Sequence, residues 1–169
     1  MKYGPYKSYF EKVVADVLKN HNISFCYDCL SLPLDSENGK TYFYTPDFIL
    51  NDVSIKGKTI LVEPHGKTLF NEGIIKKYLN FMHKYNDYIY LIILTNEDKN
   101  TVKNLINYVE NKGKIADEIY YIKDDNINYY KNFIESGKID NKYNIYQKIY
   151  NIFTYLIKEK FDKNINEYL

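Results

Sequence analysis

Residues 88–95 read YIYLIILT, an uninterrupted apolar run between polar flanks. It is far too short for a membrane span, which needs about 20 such residues. A strand with no polar alternation must be covered on both faces, and only helices packed on each side of a sheet do that. The run therefore commits the chain to a layered α/β architecture with this segment as a central strand.

The flanking sequence supplies the helices and further strands. Phe10, Val13, Val14, Val17 and Leu18 recur at helical spacing in SYFEKVVADVLKNHN. ISFCYDCL reads as a strand and LPLDSENGK as a loop with a turn at Asn38-Gly39. TYFYTPDFIL and KTILVEP read as two more strands joined through NDVSIKGK. Helical spacing returns over 69–85 and near 98–112, with DEIYYI as a short strand after them. Ile145, Ile149, Ile152, Phe153, Leu156 and Ile157 form the stripe of a C-terminal helix. The order is α-β-β-β-α-β, then α-β and terminal helices: a mixed-sheet α/β domain with one antiparallel meander. A core over 1–123 and a helical extension over 124–169 are expected. The extension either packs on the core or forms a homodimer interface. There is no internal repeat, glycine-rich phosphate loop or nucleophile elbow.

At 169 residues, 45% hydrophobic and 27% charged, the chain can bury a full core. MKYGPYKSYF lacks the apolar centre of a signal peptide, so an intracellular, cytoplasmic protein without a membrane anchor is expected. All 23 basic residues are Lys, so a phosphate must be met by a point charge or a backbone N–H. The 20 tyrosines accord with an AT-rich gene, and their number alone is no sign of base stacking. Net charge is only +1, but 56–84 carries six Lys against Glu63 and Glu72. Such a stretch either attracts a polyanion or is a solvated surface. Cys26 and Cys29 form one CxxC without the second pair a zinc site needs. The pair sits within an apparent strand, which points away from metal or redox use.

Three acids stand out by position. Asp47 follows Pro46 in an otherwise aromatic and apolar segment, Glu63 ends the next strand, and Glu11 borders the first helical stripe. A carboxylate in such a place costs several kcal/mol (about 3–5 when unpaired) unless it is paired or holds a cation. Two of them on neighbouring strands suit a hard divalent ion. Each has a plainer explanation. Ser8-x-x-Glu11 is a capping box in which Glu11 reaches the Ser8 backbone N–H, Pro46-Asp47 suits a turn, and Glu63 has nearby lysines to pair with.

A helix Glu, a PD in a strand and a Glu ending the next strand resemble the PD-(D/E)XK nuclease superfamily. SYFEKVVADVLKNHNISFCY, YTPDFIL and ILVEPHGK look most like the core of phage-type endonuclease I, a Holliday-junction resolvase. They are similar also to transposase-subunit and very-short-patch-repair-like nucleases. The likeness covers about residues 8–95. It implies a restriction-endonuclease-like αβββαβ core and a metal-dependent endonuclease acting on DNA, with Mg²⁺ or Mn²⁺ as cofactor. By that resemblance Asp47, Glu63 and the Pro64 backbone carbonyl ligate the ion, and Glu11 does so directly or through water. Cys26 stands where the endonuclease-I pattern has an acid, with Asp28 nearby.

The family lysine falls on His65. A neutral imidazole accepts a proton from water near pH 7 or ligates metal, but does neither below its ordinary pKa of about 6.5. Lys67 shares parity with Glu63 and His65 and is one source for the missing cation; Lys76 or Lys77 on the next helix is another. Two other readings stand beside catalysis: a catalytically inactive DNA-binding or assembly subunit of the same fold, and an unrelated α/β interaction domain.

Overall fold

The computed structural model describes residues 2–35, 38–66, 70–109, 113–123 and 145–163. Its elements are α1 (Tyr9–Asn20), β1 (Phe25–Tyr27), β2 (Leu32–Leu34), β3 (Tyr42–Tyr44), β4 (Phe48–Ile55) and β5 (Lys58–His65). α2 (Glu72–Tyr85), β6 (Ile89–Thr95), α3 (Lys99–Tyr108), β7 (Glu118–Tyr121) and α4 (Ile145–Glu159) follow. Five strands form one sheet in the order β1-β4-β5-β6-β7. β4 runs antiparallel to both of its neighbours, β1 and β5, whereas β5, β6 and β7 run parallel. The molecule is thus a mixed-sheet α/β domain. No helix among the described residues is long and apolar enough to cross a membrane.

Side-chain parity divides the core in two. Ile60, Val62, Ile92 and Leu94 face α1 and α4, while Leu61, Leu91 and Ile93 face α2 and α3. All seven residues of β6 are buried, as its unbroken hydrophobicity requires. α1, α2 and α3 begin at side-chain caps: Ser8 accepts from Glu11 N–H, Asn71 from Ile74 N–H, and Asp98 from the Asn100 and Thr101 N–H groups. In α4, Ile149, Ile152, Phe153 and Leu156 are buried against α1 and the sheet. Ile157, placed in the same stripe by spacing, is instead 40% exposed. The segment 124–144 lies outside the described residues.

Three strand boundaries depart from the sequence expectation. LPLDSENGK holds a strand, because Leu32–Leu34 pairs antiparallel with Tyr42–Tyr44 in a separate two-stranded sheet. TYFYTPDFIL is two strands broken at residues 45–47, where Pro46 has no N–H to give a ladder. NDVSIKGK is no linker: β4 runs through to Ile55, with a register shift between Ile49 and Ser54 and Asp52 at φ 60°. Such an irregularity hides the alternation that would have marked a strand. Lys56 and Gly57 then close a two-residue hairpin with φ of 52° and 73°, the pair of positive values a type I′ turn needs.

Asp162, just after α4, clamps that hairpin. Its carboxylate accepts from Gly57 N–H at 2.7 Å, Lys56 N–H at 3.0 Å and Ser54 Oγ at 2.9 Å. These donors hold its pKa below the ordinary carboxylate value. The group is exposed, so solvent screens most of the gain. Asp162→Ala should cost about 1 kcal/mol at pH 7 by urea unfolding. Because the folded pKa is depressed, the difference between the two proteins should vanish as acid protonates Asp162.

Candidate active site

The antiparallel ladder pairs Phe48 with Val62 and Ile49 with Leu61. One step further it sets Asp47 against Glu63, which is how two acids far apart in sequence meet. Glu63 Oε1 accepts the Asp47 backbone N–H at 2.7 Å. Glu63 shares parity with Leu61 and faces α2, and only 5% of it is exposed. His65, on the same face, is 8% exposed, with its ring edge-on to Phe70 at 4.6 Å between centroids.

Glu11 reaches the site from α1. Its Oε2 accepts from Ser8 Oγ at 2.9 Å and its Oε1 from the Tyr27 hydroxyl at 2.9 Å. The expected capping bond therefore differs in detail: Glu11 meets the Ser8 hydroxyl, not its backbone N–H. Tyr27 in turn accepts the Lys7 N–H at 3.2 Å, which ties β1 to the start of α1. A disulfide joins Cys26 to Cys29 around Tyr27 and Asp28. The CxxC is thus a covalent closure of this turn, a role the sequence did not suggest. Asp28 N–H donates to the Asp47 carbonyl at 2.9 Å, and its carboxylate lies 3.5 Å from Lys7 Nζ.

These groups line a cleft of about 470 Å³. Glu11, Asp47, Glu63, Pro64, His65 and Lys77 all contribute, so most of the candidates raised by sequence converge here. Lys76 does not, since it lines a neighbouring groove and pairs with Glu72 at 2.9 Å. Lys67 lies outside the described residues. Sequence reasoning missed Lys7, Tyr44, Tyr78 and Asn96. Asn96 was within reach, because residues just past the C-terminal ends of neighbouring parallel strands gather at one edge. Tyr78 read only as part of the apolar stripe of α2.

The electrostatics reflect crowded acids. Burial, then the charges of Glu63 and Glu11, push the Asp47 carboxyl up to about 9, against a smaller downward pull from Lys7. Burial also raises Glu63, opposed by the Tyr44 hydroxyl, the Asp47 groups and Lys77. Without a cation, the pair shares a proton at neutral pH. The Tyr44 hydroxyl, on a residue 2% exposed, makes no hydrogen bond of standard geometry among the described residues, yet it lies near enough to favour ionised Glu63.

Tyr78 Oη lies 3.3 Å from both Glu63 Oε2 and His65 Nδ1. It has one proton to give, and ionised Glu63 can only accept. When that proton is directed at Glu63, a neutral His65 can meet Tyr78 only by donating from Nδ1. Tyr78 thus links the buried acid to the histidine ring.

Among the described residues, no three or more His, Cys, Asp or Glu side chains are arranged to hold a metal ion. The Asp47–Glu63 pair suits the sparser demand of Mg²⁺, which takes one or two carboxylates and fills its remaining positions with water and phosphate.

No protein-family model, curated protein or solved structure matches the chain. The functional reading therefore rests on the site itself.

Proposed function

We propose that the chain is a divalent-metal-dependent endonuclease that hydrolyses phosphodiester bonds in DNA. The observation that carries this reading is the Asp47–Glu63 pair, a half-buried and a buried acid brought together where two strand ends meet, in one cleft with Lys7 and Lys77. Acids alone would suit many cations. Acids with lysines on either side suit an ion shared with a phosphate. The α1-β1-β4-β5-α2-β6 succession, with β2–β3 as an insertion, supports the restriction-endonuclease-like core that the sequence resemblance implies.

Asp47, Glu63 and the Pro64 carbonyl would hold Mg²⁺ or Mn²⁺, which when bound polarises the phosphate and acidifies water. Lys77, with its ammonium 4.9 Å from the centre of the Tyr44 ring, stands across the cleft from the strand that bears His65. It supplies the positive charge that the resembled family draws from the lysine replaced here, neutralising the scissile phosphate as the attacking water adds. His65, in contact with Tyr78, stands in the same cleft at the position of the family lysine. Glu11, itself buried, adds negative charge to the cleft and fixes Tyr27.

The competing reading, an inactive DNA-binding subunit of the same fold, draws on the burial of His65 against Phe70 and Tyr78. Cleavage of labelled DNA under single-turnover conditions separates the two. The nuclease should cut with Mn²⁺ or Mg²⁺. Lys77→Met should slow cutting by about 10²-fold, the scale for losing one preorganised charge at a phosphoryl centre. Lys76→Met should leave the rate within about threefold, because an exposed pair contributes little. Metal-independent binding with no cutting would favour the inactive subunit.

A further inference from the structure

The CxxC takes no part in metal or phosphate binding, yet it stands beside the acids. By spacing the pair lay inside a strand, but β1 ends at Tyr27 and Cys29 lies two residues beyond it, exposed, with Cys26 half-buried. β1 is an edge of the sheet, three residues long and paired with β4 alone. So short a ladder does little to fix the residues that follow it. They are nevertheless held in a set turn, with Asp28 at φ 51°, a left-handed conformation that few residues with a side chain adopt. The disulfide closes that turn.

Both residues that the disulfide encloses reach the acid cleft. The Tyr27 hydroxyl donates to Glu11 Oε1 at 2.9 Å and accepts the Lys7 N–H at 3.2 Å. Asp28 donates its N–H to the Asp47 carbonyl at 2.9 Å, and its carboxylate lies 3.5 Å from Lys7 Nζ. Lys7, Glu11 and Asp47 all line the cleft. Tyr27 has further support, since its ring packs on Tyr6 at 4.8 Å and on Phe48 at 5.1 Å between centroids. Asp28 is exposed, so the closure matters most on its side of the turn.

We propose that Cys26–Cys29 is a thiol-exchange site whose redox state sets the order of the acid cleft. A thiolate of a small dithiol attacks the exposed Cys29 Sγ, and the bond between the two sulfurs breaks with Cys26 leaving as a thiolate. The second thiol of the reagent then displaces Cys29 and closes the reagent to its own disulfide. Two electrons pass from the dithiol to the protein, and its two protons end on Cys26 and Cys29. Oxidised, the turn holds the Asp47 carbonyl and Lys7 against the cleft. Reduced, the Asp28 end of β1 loosens and both lose that support. The consequence for cleavage rests on the nuclease reading, whereas the change in order does not.

The test compares wild type, air-oxidised and treated with dithiothreitol, with the double variant Cys26→Ser/Cys29→Ser. Oxidised wild type should show no free thiol when denatured. Amide exchange followed by NMR should be about tenfold faster at Asp28 in the reduced protein, the scale for opening a short closed loop, and unchanged through β6. The double variant should match the reduced protein with or without the reagent. With Mn²⁺, cleavage by wild type should slow about tenfold on reduction, as for a small misplacement of a reacting group. The double variant should cut at one slow rate in both buffers, which also controls for any effect of the reagent on the ion. Free thiols in the air-oxidised protein, equal exchange at Asp28 in the two states, or DNA cut equally fast by both would overturn the inference. Faster exchange at Asp28 in a protein that cuts no DNA would refute the nuclease reading and leave this one standing. Cutting that ignores both reduction and the double substitution would do the reverse.

Discussion

Asp47→Asn should abolish DNA cleavage and at the same time make the protein more stable. The substitution keeps the size of the side chain and removes the negative charge that would hold the ion. Losing a metal's stabilisation of the reacting phosphate is worth about 4 kcal/mol, or about a thousandfold in rate. The gain in stability comes from the same charge. Partial burial, then the charges of Glu63 and Glu11, raise the Asp47 carboxyl to about 9. A neutral amide there costs less, so Asp47→Asn should gain about 1–3 kcal/mol at pH 8, read from urea midpoints. A mutation that merely damaged the fold would lower both quantities. Opposite signs mark a residue kept for chemistry at the expense of stability.

The second large effect is a pH dependence that a metal should reverse. In the unfolded chain Asp47 releases its proton near pH 4, whereas in the folded protein it keeps it until about 9. Between those values the folded state binds more protons than the unfolded state, so this group's contribution to stability falls as the pH rises. The contribution is complete below about pH 4 and is lost as the pH passes through about 9. Melting temperatures in EDTA should therefore decline from pH 6 to pH 9, and the slope should be shallower in Asp47→Asn. Mn²⁺ at about a hundred times its dissociation constant should add about 2.7 kcal/mol, roughly 5–10 °C for a chain of this size. At one fixed Mn²⁺ concentration the gain should be larger at pH 8 than at pH 6, because the ion competes with the shared proton. A metal shift equal in wild type and Asp47→Asn would place the ion elsewhere.

Much of this site could be read from sequence because apolar runs fix strands and strands fix parity. Leu61, Glu63 and His65 alternate with Ile60 and Val62, so an acid at the end of that strand had to share a face with His65. Asp47 stood out because a carboxylate interrupts YTPDFIL, although Pro46 placed it before β4 rather than within it. The choice between Lys76 and Lys77 was not legible, since the two are one residue apart on a helix and only the rotation of α2 decides which faces the acids. Lys7 and Tyr27 were not legible either, because they act through one another: a turn closed by Cys26 and Cys29 brings the Tyr27 hydroxyl to Glu11. The β2–β3 hairpin was lost in a segment rich in turn residues, where three-residue strands leave no period to detect. Polar partners chosen by tertiary packing leave no spacing in the chain.

The proposed role of Asp47 and Glu63 is to hold a divalent ion for DNA cleavage. The most direct measurement is the conversion of supercoiled plasmid by wild type, Asp47→Asn and Glu63→Gln, each in EDTA, Mg²⁺ and Mn²⁺. Wild type should yield nicked and linear DNA with either ion or with Mn²⁺ alone, and none in EDTA, while both variants leave the plasmid intact. Cutting by wild type in EDTA, undiminished cutting by the variants, or an intact plasmid under every condition would contradict it.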